Sequence, residues 1–353
     1  MDHLLTAIVV AAVVVSASFP LRAAPKKPPP TVTLAAGYAQ RPEVRAFISE
    51  LVADEAFDRA ALTRIFASAR YQPAIVAAMQ RPLLEPPKWF DYAPAFLSPS
   101  RIDGGVAYWN AHSVELARAE DVYGVPAEII VAIIGVETFY GRNIGRHRAL
   151  DALATLAFDY PRRATFFRGE LKQFLQLARD LDVSPLTPKG SFAGALGLPQ
   201  FMPGSYRNFA VDFDGDGRID LWASHADVVG SVANYLARHD WHRGQPVLLP
   251  ATMTAEGRDA VSHRLDGGLS ERRALEAWAA DGVSPVSSPQ NLATDPVGLL
   301  MLEVQGAAGE DASYWIACNN FYVVTRYNRS RLYAAAVWQL SQAIKLARAA
   351  NRP

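Results

Sequence analysis

A glutamate stands on the apolar face of the most hydrophobic helix that the sequence predicts. Between Pro126 and Gly141, Ile130 and Ile134 recur at helical spacing, and Glu137 falls on the same face. A carboxylate placed there loses hydration, which raises its pKa toward neutrality and lets it stay protonated as a general acid. The alternative is structural, with Glu137 paired to a buried arginine or capping a backbone amide. The helix pattern alone leaves both interpretations open.

An acidic loop over residues 212–223 is a candidate metal site. Counted as an EF-hand loop, it has carboxylates at positions 1, 3, 5 and 9 and a backbone carbonyl at position 7, from Asp212, Asp214, Asp216, Asp220 and Arg218. Ala223 stands at position 12, where a bidentate carboxylate normally closes the shell, so Asp220 or Asp227 would have to compensate. The alternative is a polar turn held by side-chain hydrogen bonds to its own backbone. In either case the expected role is structural.

The segment from Ser191 to Pro203 could bring backbone close to a ligand. It is rich in glycine, and Ser191 and Gln200 offer neutral groups that suit the hydroxyls and acetamides of a sugar. The alternative is a glycine-rich turn in which both side chains cap neighbouring helices.

Most of the elements that must position these residues are predicted to be helices. Residues 38–104 read as an auxiliary helical lobe, and residues 105–243 as a helical core that includes a helix from Gly105 to Val122 and the Glu137 helix, ended by Gly141. Residues 244–320 read as an inserted, partly β subdomain, because Gly, Ser, Pro and Thr separate short apolar runs. Residues 321–353 are expected to return to the core as a strand over Phe321 to Thr325 and a terminal helix from Tyr333. The fold class is mainly α, with a small β part.

The N-terminus predicts export. Leu4 to Ala17 is an apolar run of about 14 residues, shorter than the roughly 20 that span a membrane, so residues 1–24 read as a signal peptide, with an uncleaved anchor as the alternative. No cysteine follows the run, which excludes a lipoprotein anchor at this end. Residues 25–37 then form a proline-rich spacer.

The composition narrows the class of protein. The chain has 353 residues, 50% of them hydrophobic, with 35 Lys+Arg against 35 Asp+Glu. A disordered chain would be less hydrophobic and more charged, and a nucleic-acid-binding protein would carry net positive charge. The single cysteine, Cys318, allows no intrachain disulfide and suggests no zinc site, and is expected to be a small buried apolar residue.

Several ordered motifs resemble the membrane-bound lytic murein transglycosylase B family. They are Gly124-Val-Pro126, Ile134-Gly-Val-Glu-Thr138, Tyr160-Pro-Arg-Arg163, the segment Gly190 to Pro203, Val211 to Gly217, Gly230 to Tyr235, and Thr325-Arg-Tyr-Asn328. The similarity covers roughly residues 85–245 and resumes from Thr325 into the terminal helix. It implies a lysozyme-like helical core and cleavage of the bond between N-acetylmuramic acid and N-acetylglucosamine in peptidoglycan, without an organic cofactor.

The resemblance assigns roles to single residues. Glu137 matches the family's catalytic glutamate, which would act first as acid and then as base to close a 1,6-anhydro ring on the muramic sugar. The positions that match the family's glycan cleft are Ser191, Gln200, Tyr235, Tyr327, Asn328, Arg162, Arg163, Tyr92 and Tyr333. The arginines would hold a peptide-stem carboxylate or restrain Glu137. The alternative for them is a solvated or core-bridging pair. The tyrosines could equally be plain core residues.

Two rival functions use the same residues. A muramidase would admit water with the same acid, and a catalytically silent protein would keep the cleft for peptidoglycan binding or scaffolding. The expected location is the periplasm or cell envelope. The expected partners are glycan strands, with cell-wall synthases or amidases as candidate proteins, and the chain is expected to be a monomer.

Overall fold

A computed structural model describes residues 37–81, 87–287, 295–306 and 309–350. The predicted signal segment 1–24 lies outside the described residues, as does all of the spacer 25–37 except Gly37. Within the described residues, no helix has both the length and the apolar character to cross a membrane.

The described part of the chain is mainly helical. Its α-helices are α1 Pro42–Glu55, α2 Arg59–Ser68, α3 Pro73–Met79, α4 Trp89–Tyr92, α5 Pro99–Ala111, α6 Ser113–Tyr123, α7 Ala127–Thr138, α8 Ala149–Asp159, α9 Ala164–Asp180, α10 Pro203–Phe209, α11 His225–Arg238, α12 Ala255–Ser262, α13 Leu275–Ala280, α14 Asn319–Tyr327 and α15 Arg331–Ala350. Short 3-10 turns cover Tyr38–Gln40, Ala93–Ala95 and Pro161–Arg163.

The strands form two antiparallel sheets. They are β1 His147–Arg148, β2 Lys189–Gly190, β3 Leu248–Met253, β4 Leu265–Asp266, β5 Leu269–Ser270, β6 Val283–Pro285, β7 Gly298–Gly306 and β8 Gly309–Ala317. β1 pairs with β2, and the other six strands form one sheet in the order β4-β5-β7-β8-β3-β6. Its longest ladder joins β7 to β8, from Gly298 opposite Ala317 to Gly306 opposite Gly309. The predicted mainly α fold with a small inserted β part is confirmed.

Helix α7 lies at the centre of the molecule. All of its residues except Glu137 are buried, as expected for a helix whose sequence is apolar on every side. It packs against α5, α6, α11 and α15, so the end of the chain returns to the helix that carries Glu137.

The two faces of the large sheet belong to different cores. Leu300 and Leu302 on β7 join the main hydrophobic core, which extends to Val44 and Phe47 on α1. Leu299 on the opposite face joins a small separate core around Trp278, Ile316 and Cys318. Burial raises the pKa of the Cys318 thiol to about 12, so this cysteine is an inert packing residue.

The predicted strand over Phe321 to Thr325 is wrong, because these residues belong to α14. Five residues are too few to separate a period of two from a period of 3.6. The side chain of Asn320, at the start of α14, donates to the carbonyls of His242 and Gln245 and ties this helix to the chain that enters the sheet. The predicted boundary between residues 320 and 321 therefore falls inside a helix.

The predicted helix from Gly105 to Val122 is also corrected. It begins earlier, at Pro99, and breaks at His112 into α5 and α6, so the predicted boundary at residues 104–105 falls inside α5. Proline is tolerated in the first turn of a helix, which is why the proline-rich stretch did not delay its start. His112 leaves the helical conformation with its ring stacked on His225, with ring centroids 4.3 Å apart.

Candidate active site

Glu137 lies in the last turn of α7, beside a sharp change of chain direction. The helix ends at Thr138, earlier than the expected stop at Gly141, because Phe139 and Tyr140 take left-handed conformations with φ of 53° and 58°. The Thr138 hydroxyl donates to the carbonyl of Leu198 at 2.9 Å. The end of α7 is thus tied to the glycine-rich segment.

The environment of Glu137 holds its pKa near neutrality. The side chain is only partly accessible, and burial raises its pKa from 4.5 to about 7. The Tyr333 hydroxyl donates to Oε1 at 2.6 Å and opposes this rise, because it stabilises the carboxylate. At neutral pH both protonation states are populated, so the group can give a proton and take one back.

Within the described residues, no second carboxylate influences the pKa of Glu137. Two-carboxylate glycosidases place their second carboxyl group about 5 to 9 Å from the first, close enough to interact with it. The arrangement favours a single acid–base group. It also separates Glu137 from the structural alternatives, because its hydrogen-bond partner is a tyrosine and not an arginine or a backbone amide.

Three predicted tyrosines form one aromatic group beside Glu137. The rings of Tyr327 and Tyr333 are nearly parallel, with centroids 6.4 Å apart, and Tyr235 meets Tyr327 edge-on at 4.9 Å. The hydroxyl of Tyr327 donates to the carbonyl of Pro199 at 2.6 Å, and that of Tyr235 to the carbonyl of Arg326 at 2.7 Å. These bonds fix the rings between α11, α14 and the glycine-rich segment.

Tyr92 reaches the same site from α4. Its ring packs on Phe96 with centroids 4.8 Å apart, and burial together with the negative charge of Glu137 raises its pKa well above the ordinary value. Asn328 caps the C-terminus of α14 next to Tyr327 and is half-buried.

Ser191 and Gln200 hold the glycine-rich segment in shape. The Ser191 hydroxyl accepts from the N–H groups of Ala193 and Ala195 at 3.2 and 3.0 Å. The Gln200 amide donates to the carbonyls of Gly197 and Ile144 at 2.8 and 3.2 Å. Both side chains therefore bond to backbone in or beside the turn, and neither of these bonds caps a neighbouring helix as the alternative expected. The serine hydroxyl proton and the glutamine oxygen take no part in them.

The two arginines differ in environment. Arg162 is exposed in the 3-10 turn, while Arg163 is half-buried, with its guanidinium 4.3 Å from the ring centroid of Phe166. Among the described residues, Nη1 of Arg163 is buried without a hydrogen-bond partner, and burial lowers the pKa of this group. Neither arginine is among the groups that set the pKa of Glu137, so the structure gives no support for their restraining it.

The sequence did not reveal two residues that contact α7 at Gly135, Arg101 and Tyr140. The buried guanidinium of Arg101 donates to the carbonyl of Gly135, and the Tyr140 hydroxyl donates to the carbonyl of Arg101 at 2.8 Å. A methyl group on Gly135 would lie 2.5 Å from the Tyr140 hydroxyl oxygen. The glycine within an otherwise large-residue apolar helix was the available signal for this close approach.

The acidic loop brings together three carboxylates, from Asp212, Asp214 and Asp227. Each offers an oxygen, and these oxygens lie within 4.8 Å of one another. Asp227 is 1% exposed and also accepts from the N–H groups of Phe213 and Asp220 at 2.7 and 2.8 Å. It is one of the two residues named above as a substitute for the missing closing carboxylate.

The other predicted ligands of the loop face its own backbone. Asp216 accepts from the N–H of Arg218 at 2.8 Å, and Asp220 accepts from the N–H groups of Trp222 and Ala223 at 2.8 and 3.0 Å. Asp212 also accepts from the N–H groups of Gly215 and Gly217 at 2.7 and 2.8 Å, and Asp214 accepts from that of Asp216 at 3.2 Å. The loop therefore has the side-chain-to-backbone bonds of a polar turn, and two of the three grouped carboxylates take part in them.

Comparison with known proteins decides the family. Residues 39–342 match the family model of the transglycosylase SLT domain. The chain belongs to this family. It is 44% identical over 320 residues to the membrane-bound lytic murein transglycosylase B of Escherichia coli K12, covering 88% of this chain and 85% of that one.

Solved structures of family members share the fold. Soluble lytic transglycosylase SltB1 of Pseudomonas aeruginosa, crystallised in a catenated form, superposes with a TM-score of 0.80 at 46% identity, covering 88% of this chain and 99% of that one. The E. coli lytic transglycosylase Slt35 in complex with calcium gives a TM-score of 0.78 at 43% identity, covering 88% and 95%. The prediction of an enzyme of the lytic transglycosylase class is therefore confirmed.

Proposed function

We propose that this lytic transglycosylase cleaves the β-1,4 bond between N-acetylmuramic acid and N-acetylglucosamine in peptidoglycan and leaves a 1,6-anhydro-N-acetylmuramic acid end. The observation that carries the proposal is the placement of Glu137, partly buried in the last turn of α7 with the Tyr333 hydroxyl 2.6 Å from its Oε1 and with a pKa raised by burial to about 7. A group with this pKa is suited to both halves of the reaction at neutral pH.

The two halves use the same carboxyl group. Protonated Glu137 gives its proton to the bridging oxygen while the bond to the muramic C1 breaks and an oxocarbenium-like centre develops. The 2-acetamido oxygen of the substrate stabilises that centre, so no second carboxylate is required. The Glu137 carboxylate then takes the proton from the C6 hydroxyl, and O6 attacks C1. The ring closes, the glutamate is protonated again, and no water is consumed.

The residues around Glu137 supply binding and orientation in this proposal. The partly exposed rings of Tyr92 and Tyr327 pack on the apolar faces of sugar rings, while Ser191, Gln200 and Asn328 bind hydroxyl and acetamide groups. Tyr235 and Tyr333 are buried, so they support the site from within the core. Arg162 and Arg163 bind a carboxylate of the peptide stem. The buried, unpartnered Nη1 of Arg163 supports this last assignment, because a ligand carboxylate would satisfy it.

A structural calcium ion belongs to the same proposal. Asp212, Asp214 and Asp227 form an all-oxygen donor set of the kind that calcium prefers, and burial raises the pKa of Asp227, a cost that a bound cation would offset. The complex of E. coli Slt35 with calcium supports this reading. The ion would join the acidic loop to α11. Asp216, Arg218 and Asp220 remain predicted ligands.

The proposed location follows from the substrate. Peptidoglycan lies in the bacterial cell envelope, so the enzyme acts in the periplasm or at the envelope, to which the predicted signal in residues 1–24 would direct it. Synthases and amidases of the cell wall remain candidate partners.

The test is a pair of matched substitutions on α7. Glu137→Gln should abolish cleavage of purified glycan strands, with a loss of at least 10³-fold, because the amide cannot transfer the proton. Glu128→Gln makes the same chemical change nine residues earlier, about 14 Å away along the helix, where Glu128 pairs with Lys345. It should retain activity. If Glu137→Gln cleaves as well as the parent protein, Glu137 is not the acid and the proposed mechanism is wrong. If the parent protein itself releases no products, a scaffold role takes its place.

A further inference from the structure

One carboxylate on the large sheet binds the first residues of two helices that carry active-site tyrosines. Glu303 lies on β7, and its two oxygens accept hydrogen bonds from two different helices. Oε1 accepts from Nη2 of Arg331, the first residue of α15, at 2.7 Å. Oε2 accepts from the backbone N–H of Trp89, the first residue of α4, at 3.1 Å. One side chain thus joins the starts of two helices to the same strand.

Each of these helices carries a tyrosine that lies beside Glu137. Tyr92 is the last residue of α4, three positions after Trp89, and Tyr333 follows Arg331 by two positions on α15. Burial and the charge of Glu137 raise the pKa of both tyrosines, and Tyr333 donates directly to Glu137. Any shift at the start of either helix is therefore transmitted to the catalytic carboxyl group over a few residues.

The sheet provides a fitted slot for the arginine. Nη1 of Arg331 donates to the carbonyl of Met301 at 2.9 Å, and the two charged side chains are only 13% and 21% exposed. Gly268 has a φ of 86°, which favours glycine, and a methyl group there would lie 2.6 Å from the guanidinium carbon of Arg331 and displace it. The carbonyl of Gly268 accepts from the N–H of Met301 at 2.8 Å, which holds the turn at Gly268 against β7 on one side of the arginine. A pair that is partly desolvated and bonded on several sides holds its geometry much better than a surface ion pair.

We propose that Glu303 is a positioning residue for glycan cleavage, which holds Arg331 and the Trp89 N–H together and thereby fixes Tyr333 and Tyr92 around Glu137. This inference rests on the proposed role of Glu137 as the acid. It makes the inserted sheet a part of the catalytic apparatus, because the 2.6 Å bond that stabilises the Glu137 carboxylate depends on where α15 begins.

The first test is the pH dependence of cleavage in Glu303→Ala and Glu303→Gln. When Arg331 is released, the Tyr333 bond lengthens and the pKa of Glu137 rises, so the alkaline limb of the rate profile should move upward by about half a pH unit. The kcat should fall roughly tenfold, with a smaller change in KM, because the substrate-binding groups outside α4 and α15, such as Ser191 and Gln200, stay in place. Glu303→Gln keeps one oxygen acceptor and should fall between Glu303→Ala and the parent.

A matched control breaks another ion pair of the sheet subdomain. Asp281 pairs with Arg273 at 2.5 Å, and their side chains are 25% and 22% exposed. Asp281→Asn should lower Tm while leaving the pH profile and kcat unchanged. If Asp281→Asn and Glu303→Ala lower Tm alike and neither moves the profile, Glu303 has only a structural role.

A double substitution asks whether Glu303 acts through Tyr333. In the Tyr333→Phe background the hydrogen bond to Glu137 is already absent, so adding Glu303→Gln should move the alkaline limb no further. Additive shifts of the alkaline limb would overturn the inference, as would a parent-like profile in both Glu303 variants.

If Glu303→Ala does not fold, Glu303→Gln and Arg331→Lys carry the same test. Glu137→Gln measured in parallel separates the two failures: its retained activity contradicts the proposed function, whereas its inactivity beside unmoved Glu303 profiles contradicts this inference alone.

Discussion

Two opposing influences set the ionisation of Glu137. Burial penalises the carboxylate, and the Tyr333 hydroxyl stabilises it, with a net pKa of about 7. Burial alone would make a good acid but a carboxylate that is reluctant to form, and the hydrogen bond alone would leave the group ionised. The balance suits a residue that must both give and take a proton.

The raised pKa makes a prediction about stability. The folded-state pKa of about 7 exceeds the ordinary value of 4.5, so this group's contribution to stability is complete below about pH 4.5 and is lost as the pH rises through 7. Glu137→Gln removes the ionisation. The variant should be close to the parent in free energy of unfolding at pH 5 and more stable by about 3 kcal/mol at pH 9.

Thermal unfolding of both proteins from pH 5 to pH 9 checks this. A difference in Tm that stays constant across the range would show that Glu137 does not titrate near neutrality in the folded protein.

At the scale of elements, the glycine-rich segment shapes one wall of the site. Gly190 sits at the end of β2 with the carbonyl oxygen of Ala195 so close that a methyl group would lie 2.1 Å from it. The closely packed turn places Ser191, and the Thr138 bond to Leu198 links the segment to α7.

Gly190→Ala should therefore destabilise the protein by about 3 kcal/mol and reduce activity, because backbone has to move. Gly169 on the exposed face of α9 is the control, since nothing lies within 4 Å of a methyl group there. Gly169→Ala should stabilise the protein by about 0.5 to 1 kcal/mol. Urea unfolding of both variants checks the pair, and equal effects would contradict the packing of this turn.

The acidic loop makes a second prediction at this scale. Millimolar calcium should raise Tm and a chelator should lower it, since an ion at about 100 times its Kd adds roughly 2.7 kcal/mol to the folded state. Asp214→Asn should remove the response, because it takes one carboxylate from the group of three. The exposed Asp266 on β4 provides the control, and Asp266→Asn should respond as the parent does. A Tm that ignores both calcium and chelator would contradict the site.

For the whole molecule, the sequence predicted the helices better than the contacts that join one element to another. An apolar run ending in a glutamate identified the central helix, since burial on all sides leaves a clear composition signal. The strand assigned to Phe321 to Thr325 failed because what makes it a helix is its attachment to the chain entering the sheet, through Asn320. That contact joins residues nearly 80 positions apart and has no local pattern.

The candidate site was predictable to a similar degree. Its residues came from the family resemblance, and the structure adds how they contact one another. The nearness of Asp227 to Asp212 and Asp214 was foreseeable, because the missing carboxylate at Ala223 directed attention to it. The pairing of Glu303 with Arg331 was not, because neither residue stands in a recognisable motif and a contact between the start of α15 and β7 brings them together.

The chemistry of the whole enzyme is tested most directly by mass spectrometry of the soluble products released from peptidoglycan sacculi. We expect muropeptides one water lighter than hydrolysis products and resistant to borohydride reduction, because in the proposed mechanism Glu137 takes the proton from the C6 hydroxyl and O6 attacks C1. Reducible products that contain the added water would contradict it and make the enzyme a muramidase.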